Sequence, residues 1–191
     1  MTKTTTTVSL IAVAAILIAA SAYLLGTMRT TPAGIIPDIP GIGGANEINL
    51  SGNGLTSIPK ETLSQTQVTK LILSNNKLKS LPSEIGALVN VQELYLDHND
   101  LQGSLAGEIR KMSNLRILDV QYNNMTGIPA EIGQLKNLST LNYSYNGLDT
   151  FPNEIANLKD NLKTLDISHN KYSQDSINEL KRLLPNTNVI Y

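Results

Sequence analysis

The sequence predicts an α/β solenoid, in which short parallel strands alternate with short helical or irregular segments. Three observations predict it. Asparagines recur every 23 or 24 residues, apolar residues keep fixed positions around them, and the chain holds one Phe, no Trp and no Cys. A core without large aromatic residues must be built from many Leu and Ile, which favours a regular stack over an irregular globule.

Recurring asparagines define the repeat. The six are Asn53, Asn76, Asn99, Asn123, Asn146 and Asn170. In the second repeat the apolar positions around the asparagine are Val68, Leu71, Leu73 and Leu78, and the same offsets recur in the others. Leu71 and Leu73 alternate with polar neighbours, which predicts a short strand with one buried face. Because one unit cannot bury its leucines alone, neighbouring units must stack.

The pattern of each repeat is L-x-x-L-x-L-x-x-N-x-L, and from Ala45 to Tyr191 the chain resembles the leucine-rich-repeat family. The sequence of 81–86, LPSEIG, recurs as IPAEIG at 128–133 and FPNEIA at 151–156, and it resembles the Ras-regulating and plant-receptor subclasses. The resemblance implies a curved parallel sheet on the concave face and short helical or irregular segments on the convex face. The third repeat lacks this Pro and carries Gly103 as an extra residue, which predicts a local bulge on the convex side.

Each repeated Asn is expected inside the solenoid, at the turn after its strand. There the side chain can bond backbone groups of its own and of the next repeat. An internal polar group persists only when it is satisfied in this way. We therefore call the six asparagines the asparagine ladder and interpret them as structural.

The end of the chain is predicted to close the stack. Apolar residues at helical spacing predict a helix over 175–184, and Pro185 ends it. A last extended stretch follows at 188–191. Residues 173–191 are therefore interpreted as a C-terminal cap.

An almost unbroken apolar run covers residues 8–25. As a helix it would be about 27 Å long, close to the hydrocarbon core of a membrane. Residues 1–26 are therefore either an uncleaved single-pass anchor in the cell membrane or a signal peptide cleaved near Ala22, where small residues flank Ser21. In the second case the protein is secreted. The charge bias, with Lys3 before the run, places the repeats outside the cytoplasm.

Residues 27–44 hold three Pro and four Gly and are interpreted as a linker. Its second half, with Ile35, Ile36 and Ile39, is expected to fold over the first repeat as an N-terminal cap. Such a cap would cover the edge strand and the open apolar end that a solenoid must protect. Residues 45–191 then form the leucine-rich-repeat domain with six repeats.

Composition and charge argue against several functions. The net charge of −1 offers no Lys/Arg face for nucleic acid. Without Cys, and with only two His, no serine has a paired base and no thiolate can bind a metal. A metal site from Asp97, His98 and Asp119 can be drawn, but the spacing dictates no third ligand. We therefore expect no enzyme, no cofactor, no metal and no small-molecule substrate.

The strand register sorts the concave residues into columns. Five carboxylates against Lys70 give this face a charge of −4. Rings fill the column before the ladder asparagine from the third repeat onward, and rings with polar tips are favoured binding anchors, although such rings are also common in this family. The predicted partner-binding residues are Ile72, Tyr95, Asp97, His98, Ile117, Asp119, Tyr122, Tyr145, Asp166 and His169.

These observations favour a non-catalytic module at the cell surface that binds a protein or peptide in recognition or adhesion. A self-associating structural or envelope protein is the alternative. A glycan- or cation-binding surface protein is a third interpretation. Four N-x-Ser/Thr triplets, at Asn49, Asn124, Asn137 and Asn142, are expected by chance in so Asn- and Ser-rich a repeat.

Overall fold

The computed structural model describes residues 29–31, 34–36 and 46–191 of a chain that divides into two compact units, 1–42 and 43–191. In the first unit, strand β1 (Arg29–Thr31) pairs antiparallel with β2 (Gly34–Ile36), so the predicted linker contains a short hairpin. The predicted leader, residues 1–26, lies outside the described residues. None of the helices described is long and apolar enough to cross a membrane. The predicted packing of the linker on the first repeat stays a prediction.

One parallel sheet of seven strands forms the second unit. Its strands are β3 (Glu47–Asn49), β4 (Lys70–Ile72), β5 (Glu93–Tyr95), β7 (Ile117–Asp119), β9 (Thr140–Asn142), β10 (Thr164–Asp166) and β11 (Asn188–Ile190). They lie side by side in chain order, and equivalent residues of successive repeats are direct neighbours, as in the pair Tyr95 and Asp119. The α/β leucine-rich-repeat solenoid is thereby confirmed. The sheet is one strand wider than the predicted six, because the last extended stretch pairs with β10.

Short helices run along the opposite side of the solenoid. The first repeat has helix α1 (Lys60–Leu63), and the next four have 3₁₀ helices at Ser83–Ala87, Gly107–Lys111, Ala130–Gln134 and Asn153–Leu158. Each 3₁₀ helix buries an Ile completely. Glycine permits their close packing: a Cβ built on Gly133 would lie 2.2 Å from the backbone oxygen of Glu154 in the next repeat.

The extra residue of the third repeat belongs to a second small sheet. Strand β6 (Gln102–Gly103) pairs in parallel with β8 (Asn124–Met125) of the fourth repeat. Gly103 has φ of 65°, a left-handed conformation that glycine adopts without steric cost. The predicted bulge is therefore replaced by a hydrogen-bonded strand that joins the third repeat to the fourth.

The core consists of stacked Leu, Ile, Val and Met, with one exception at Tyr143. This side chain is completely buried at a position where the other repeats carry Leu, Val or Ile, and its hydroxyl has no hydrogen-bond partner among the described residues. Val120 fills the equivalent position one strand earlier. The smaller Val120 compensates for part of the volume of the ring. The hydroxyl itself is a local cost to stability.

The C-terminal cap is confirmed as a helix followed by a strand. Helix α2 (Gln174–Leu183) begins at Ser173, whose hydroxyl accepts a hydrogen bond from the backbone N–H of Ser176 at 3.1 Å. Ile177 and Leu180 are buried against the last repeat. The chain then returns through β11 to the sheet, so the cap covers the apolar end of the stack.

Candidate functional site on the concave face

The concave face is formed by strand residues whose side chains point away from the leucines. In β5 and β7 the central Leu94 and Leu118 are completely buried, whereas the flanking side chains of both strands are half-buried. Ser74 and Ser144, each two residues after an outward-facing strand residue, are buried just beyond their strands. The working surface therefore consists of two columns of side chains, formed by the first and by the last residues of strands β3, β4, β5, β7, β9 and β10. The half-buried Asp97, Gln121 and Ser168 at the strand ends belong to it as well.

Carboxylates and a phenol meet at the centre of the face, in the third and fourth repeats. The Tyr95 hydroxyl donates to Glu93 Oε2 at 3.1 Å. Asp97 accepts from the Ser74 hydroxyl through one oxygen and lies 3.0 Å from His98 Nδ1 through the other. Asp119 accepts from the backbone N–H of Gln121 at 3.0 Å and from its side-chain amide at 3.1 Å. We call Glu93, Tyr95, Asp97 and Asp119 the acidic cluster.

Ionisation in the acidic cluster is shifted by burial and by mutual repulsion. Desolvation, followed by the hydrogen bond and the charge of Glu93, raises the pKa of Tyr95 to about 12. Desolvation also raises the pKa of Asp119, and the nearby charge of Asp97 adds to the rise, against hydrogen bonds from Gln121 and Asn142 that lower it. Asp119 is therefore a carboxylate that the surrounding protein disfavours in its charged form.

Lys70 is the only cation of the two strand columns in the six repeats. Its ammonium lies 3.8 Å from both Glu47 and Glu93 and 5.8 Å from the centre of the Tyr95 ring. One lysine thus serves two glutamates at the N-terminal end of the face. Of the other concave carboxylates, Asp97 pairs only with the imidazole of His98, and no ion pair to Asp119 or Asp166 forms within 46–191.

Four rings stack continuously along one edge of the concave face. The ring ladder consists of His98, Tyr122, Tyr145 and His169, and the ring centres are 4.4, 4.1 and 4.0 Å apart in that order. All four residues have φ between 50° and 55°, a left-handed conformation that costs a bulky residue about 1–2 kcal/mol. Each stacked pair returns about 0.5–1.5 kcal/mol, so stacking offsets much of that strain.

Stacking decides how the ring ladder can meet a ligand. Because each ring covers the face of its neighbour, the ladder presents ring edges and polar tips to solvent, and Tyr122 and Tyr145 are each 40% exposed. The side-chain hydrogen bond between Tyr122 and Tyr145 is the first cause that raises the pKa of Tyr122. Sugar rings and cations bind aromatic faces, so a row with covered faces is poorly suited to either. The ladder suits edge-on hydrogen bonding.

An open groove of about 510 Å³ runs beside the ring ladder. Its lining consists of Asn99, Tyr122, Asn123, Asn124, Tyr145, Asn146 and His169. The amides of the three ladder asparagines in this lining are already bonded to backbone groups of the repeats. The polar groups that remain for a ligand are the ring tips and the exposed side chain of Asn124.

Five of the predicted ladder asparagines bind the backbone of two repeats. Asn123 Oδ1 accepts from the Leu101 N–H at 2.9 Å, and its Nδ2 donates to the carbonyls of Leu96 and Val120 at 3.0 Å each. Equivalent bonds are made by Asn76, Asn99, Asn146 and Asn170. The partner repeat is the preceding one, not the next one as predicted. Asn53 is exposed and makes none of these bonds within 46–191, since the first repeat has no described repeat before it.

A second set of asparagines, which the sequence analysis did not identify, also joins neighbouring repeats. Asn90, Asn114 and Asn137 each donate a side-chain hydrogen bond, at 2.8–2.9 Å, to a backbone carbonyl of the preceding repeat. Each lies nine positions before a ladder asparagine, so the same self-alignment contains the signal. Asn137 was noticed only as part of a chance triplet. These residues are structural and fix the turn that leads into the next strand.

The remaining predicted site residues divide into two groups. Ile72 is half-buried on β4, which flanks the acidic cluster, and Ile117 is half-buried on β7, two residues before Asp119. Asp166 lies two strands from Asp119, beyond Asn142, and bonds Ser168 instead. The predicted site is thus a central acidic cluster with apolar neighbours, a separate ring ladder, and one isolated carboxylate.

The polar groups do not form a hydrolytic arrangement. The Ser74 hydroxyl bonds the Asp97 carboxylate, and His98 bonds the other oxygen of that carboxylate. A catalytic triad needs the imidazole between the hydroxyl and the acid, which would activate the hydroxyl as a nucleophile. In the part of the chain that the structure describes, no group of three or more metal-ligating residues is placed to hold a metal ion.

Comparisons with known proteins agree with this fold. A family model described as leucine rich repeat matches residues 44–101 and 113–172. A leucine-rich-repeat protein of Leptospira interrogans is 36% identical with a TM-score of 0.73, over 76% of this chain and 37% of its own. No curated protein is similar enough to count as a match.

Two plant receptors are also similar. The ectodomain of the membrane receptor kinase GASSHO1/SCHENGEN3 from Arabidopsis thaliana is 37% identical with a TM-score of 0.63, over 75% of this chain and 18% of that one. The Arabidopsis receptor kinase HAESA is 30% identical with a TM-score of 0.59, over 66% and 22%. The chain therefore spans well under half the length of each of these three solved relatives.

Proposed function

Because the chain belongs to the leucine-rich-repeat family, we propose that it is a non-catalytic module whose concave face binds another protein or a peptide. One observation carries the proposal. The leucines under the sheet are completely buried, while the side chains above them are half-exposed, differ from repeat to repeat and include unneutralised carboxylates. Packing requires none of these outward residues, so they are free to serve recognition.

The similar plant proteins support this mode of action. GASSHO1/SCHENGEN3 was solved in complex with CASPARIAN STRIP INTEGRITY FACTOR 2, and HAESA in complex with the peptide hormone IDA and the co-receptor SERK1. This chain is much shorter than either, so it offers a smaller face. Seven strands about 4.8 Å apart span roughly 29 Å, which fits about nine residues of an extended segment.

The proposal includes display outside the cytoplasm. The apolar run at 8–25 and the charge that precedes it support an anchored module with the repeats outside, or a secreted one if the run is cleaved near Ala22. Intact mass spectrometry of the protein from a membrane fraction distinguishes the two. A mass equal to the full chain means an anchor, and a loss of about 22 residues means a signal peptide.

The binding surface is tested with a double variant, Tyr95→Ala with Tyr122→Ala, in the full-length chain. We expect the fold to be retained with a melting temperature lowered by the loss of the two Tyr122 stacking contacts. We also expect loss of the partner that the wild type captures after cross-linking in its own cells. Val89→Ala is the matched control, since Val89 is an exposed apolar side chain outside the concave columns. Partner capture that survives the double variant would place the binding surface elsewhere.

Self-association is the second candidate, and one observation favours it. Strand β11 lies at the end of the sheet; its last residue, Ile190, is 40% exposed, and Tyr191, which follows it, is 55% exposed. An open strand edge with exposed apolar residues can pair with another copy. Sedimentation of the full-length chain over a hundredfold range of concentration separates the candidates, because only self-association gives assembly that grows with concentration and is lost in Ile190→Lys.

A further inference from the structure

We infer that the occupant of the concave face is a basic segment of a partner protein, extended along the sheet, with an Arg or Lys side chain placed against Asp119. This inference rests on the proposed function, since it names the class of partner that the same face binds. It is carried by the charge of the face, by the hydrogen bonding of Asp119, and by the apolar residues around it.

The charge of the face is uneven along the solenoid. From β5 to β9 the concave columns carry Glu93, Asp97 and Asp119 and no Lys or Arg. Lys70, the one cation of the strand columns, is already placed between Glu47 and Glu93. The centre of the face therefore holds more negative charge than the chain neutralises, although the net charge of the whole protein is only −1. A bound cation would supply the missing charge.

The fold does not need a charge at position 119. At this point of the repeat, a side-chain oxygen accepts from the backbone N–H two residues later. Asn49 and Asn142 make this bond at 3.0 Å, and Asp119 makes it at the same distance. Since a neutral amide serves the turn equally well, the negative charge of Asp119 is surplus to the structure. It is half-buried and close to a second carboxylate, Asp97, which makes the surplus unfavourable unless a ligand neutralises it.

Apolar neighbours suit the stem of a basic side chain. Tyr95 lies beside Asp119 on the adjacent strand, and Ile117 lies two residues before it on the same face of β7. Arg and Lys pack their methylene stems on such surfaces while the charged head meets a carboxylate. A nucleic acid or an anionic membrane would be repelled by the same charges. A neutral glycan would gain nothing from them.

The test measures peptide binding to the full-length chain, kept in mild detergent, at pH 7.5. The probe is a fluorescent ten-residue peptide of alternating Arg and Gly, and the comparison peptide has Glu in place of Arg. The wild type should bind the Arg peptide at least tenfold more tightly, and binding should weaken as salt rises from about 20 to 300 mM. Asp97→Asn with Asp119→Asn should lose at least tenfold in affinity for the Arg peptide.

The matched control removes two convex charges, Glu84→Gln with Glu154→Gln, from exposed positions on 3₁₀ helices. It changes the net charge equally and should stay within twofold of the wild type. Equal losses in both variants, or no preference for Arg over Glu, would overturn the inference. The proposed function is judged separately by partner capture. If Tyr95→Ala with Tyr122→Ala abolishes capture while the Arg peptide shows no preference, only the inference about charge fails.

Discussion

Replacing Asn123 by Leu should remove the side-chain hydrogen bonds that join the third and fourth repeats, while the backbone pairing of their strands remains. The amide of Asn123 bonds three backbone groups: the carbonyls of Leu96 and Val120, and the N–H of Leu101, which has no other partner among the described residues. Each of the two carbonyls also accepts a hydrogen bond from another ladder asparagine, Asn99 or Asn146. The residues of all three groups are 1% exposed or less, so water cannot replace the amide. Leu has the same branching and the same number of side-chain heavy atoms as Asn, and it removes the polar interactions.

The expected loss can be estimated from these hydrogen bonds. Leaving the buried Leu101 N–H unsatisfied costs about 1–3 kcal/mol, losing one of the two hydrogen bonds at each carbonyl costs about 0.5–1.5 kcal/mol, and the buried Leu side chain returns about 1.5–3 kcal/mol. The net loss is then on the order of 2 kcal/mol, a substantial part of the roughly 5–15 kcal/mol that stabilises a typical domain. For a domain of this size we expect the melting temperature to fall by about 4–8 °C.

Thermal unfolding followed by circular dichroism measures this fall, with Asn124→Leu as the control. Asn124 is the next residue, is exposed and lies outside the ladder, so its substitution should shift the midpoint by no more than about 2 °C. Hydrogen exchange adds a local readout, because the backbone amide of Leu101 should exchange faster in Asn123→Leu than in the wild type or in Asn124→Leu. Two variants with the same midpoint as the wild type would refute the structural interpretation of the ladder.

Four more outcomes follow from single side chains. Tyr143→Phe removes a buried hydroxyl without a described partner and should raise the free energy of unfolding by about 1 kcal/mol in urea titration, whereas a loss would mean that the hydroxyl is bonded. Gly133→Ala should destabilise by at least about 1 kcal/mol, because its Cβ would meet the next repeat at 2.2 Å, and Gly127→Ala should not, since its nearest contact would be at 3.8 Å. The pKa of Tyr95 is raised from 10.0 to about 12, so the stability it contributes is present below pH 10 and lost as the pH rises to about 12; the tyrosinate absorbance missing from Tyr95→Phe should appear in that range. The pKa of Asp119 is also raised, so Asp119→Asn should increase the melting temperature at pH 7, and the difference should disappear below about pH 4, where an unperturbed carboxyl is protonated.

The secondary structure and the burial pattern within each repeat could be predicted from the sequence. Fixed offsets from Asn76 or Asn99 placed the strands, the buried leucines and the outward columns, because a strand alternates strictly and the offset is the same in each repeat. The C-terminal helix followed from its own apolar spacing. These features depend on local pattern, and the stacking of repeats preserves them.

Contacts between repeats were less predictable. That His98, Tyr122, Tyr145 and His169 share a column could be predicted, but their face-to-face stacking depends on a left-handed backbone that Gly or Asn normally favours. The prediction that the ladder asparagines bond the next repeat was wrong, because the offset alone does not show which neighbouring repeat the amide faces. The repeat offset puts Tyr143 at a buried position, yet no pattern in the sequence indicates that its hydroxyl lacks a described partner.

Asp119 shows how the surface of a repeat protein can be separated from its scaffold. Asn49, Asn142 and Asp166 occupy its position in other repeats, and each accepts the same turn hydrogen bond. Amide and carboxylate are thus equivalent for the fold, and burial makes the carboxylate the worse choice for stability at neutral pH. A ligand that neutralises Asp119 would remove that cost, so binding of a basic segment should raise the melting temperature of the wild type more than that of Asp119→Asn. The charged Asp119 therefore destabilises the free protein and stabilises only the complex. This difference distinguishes a binding residue from a packing residue.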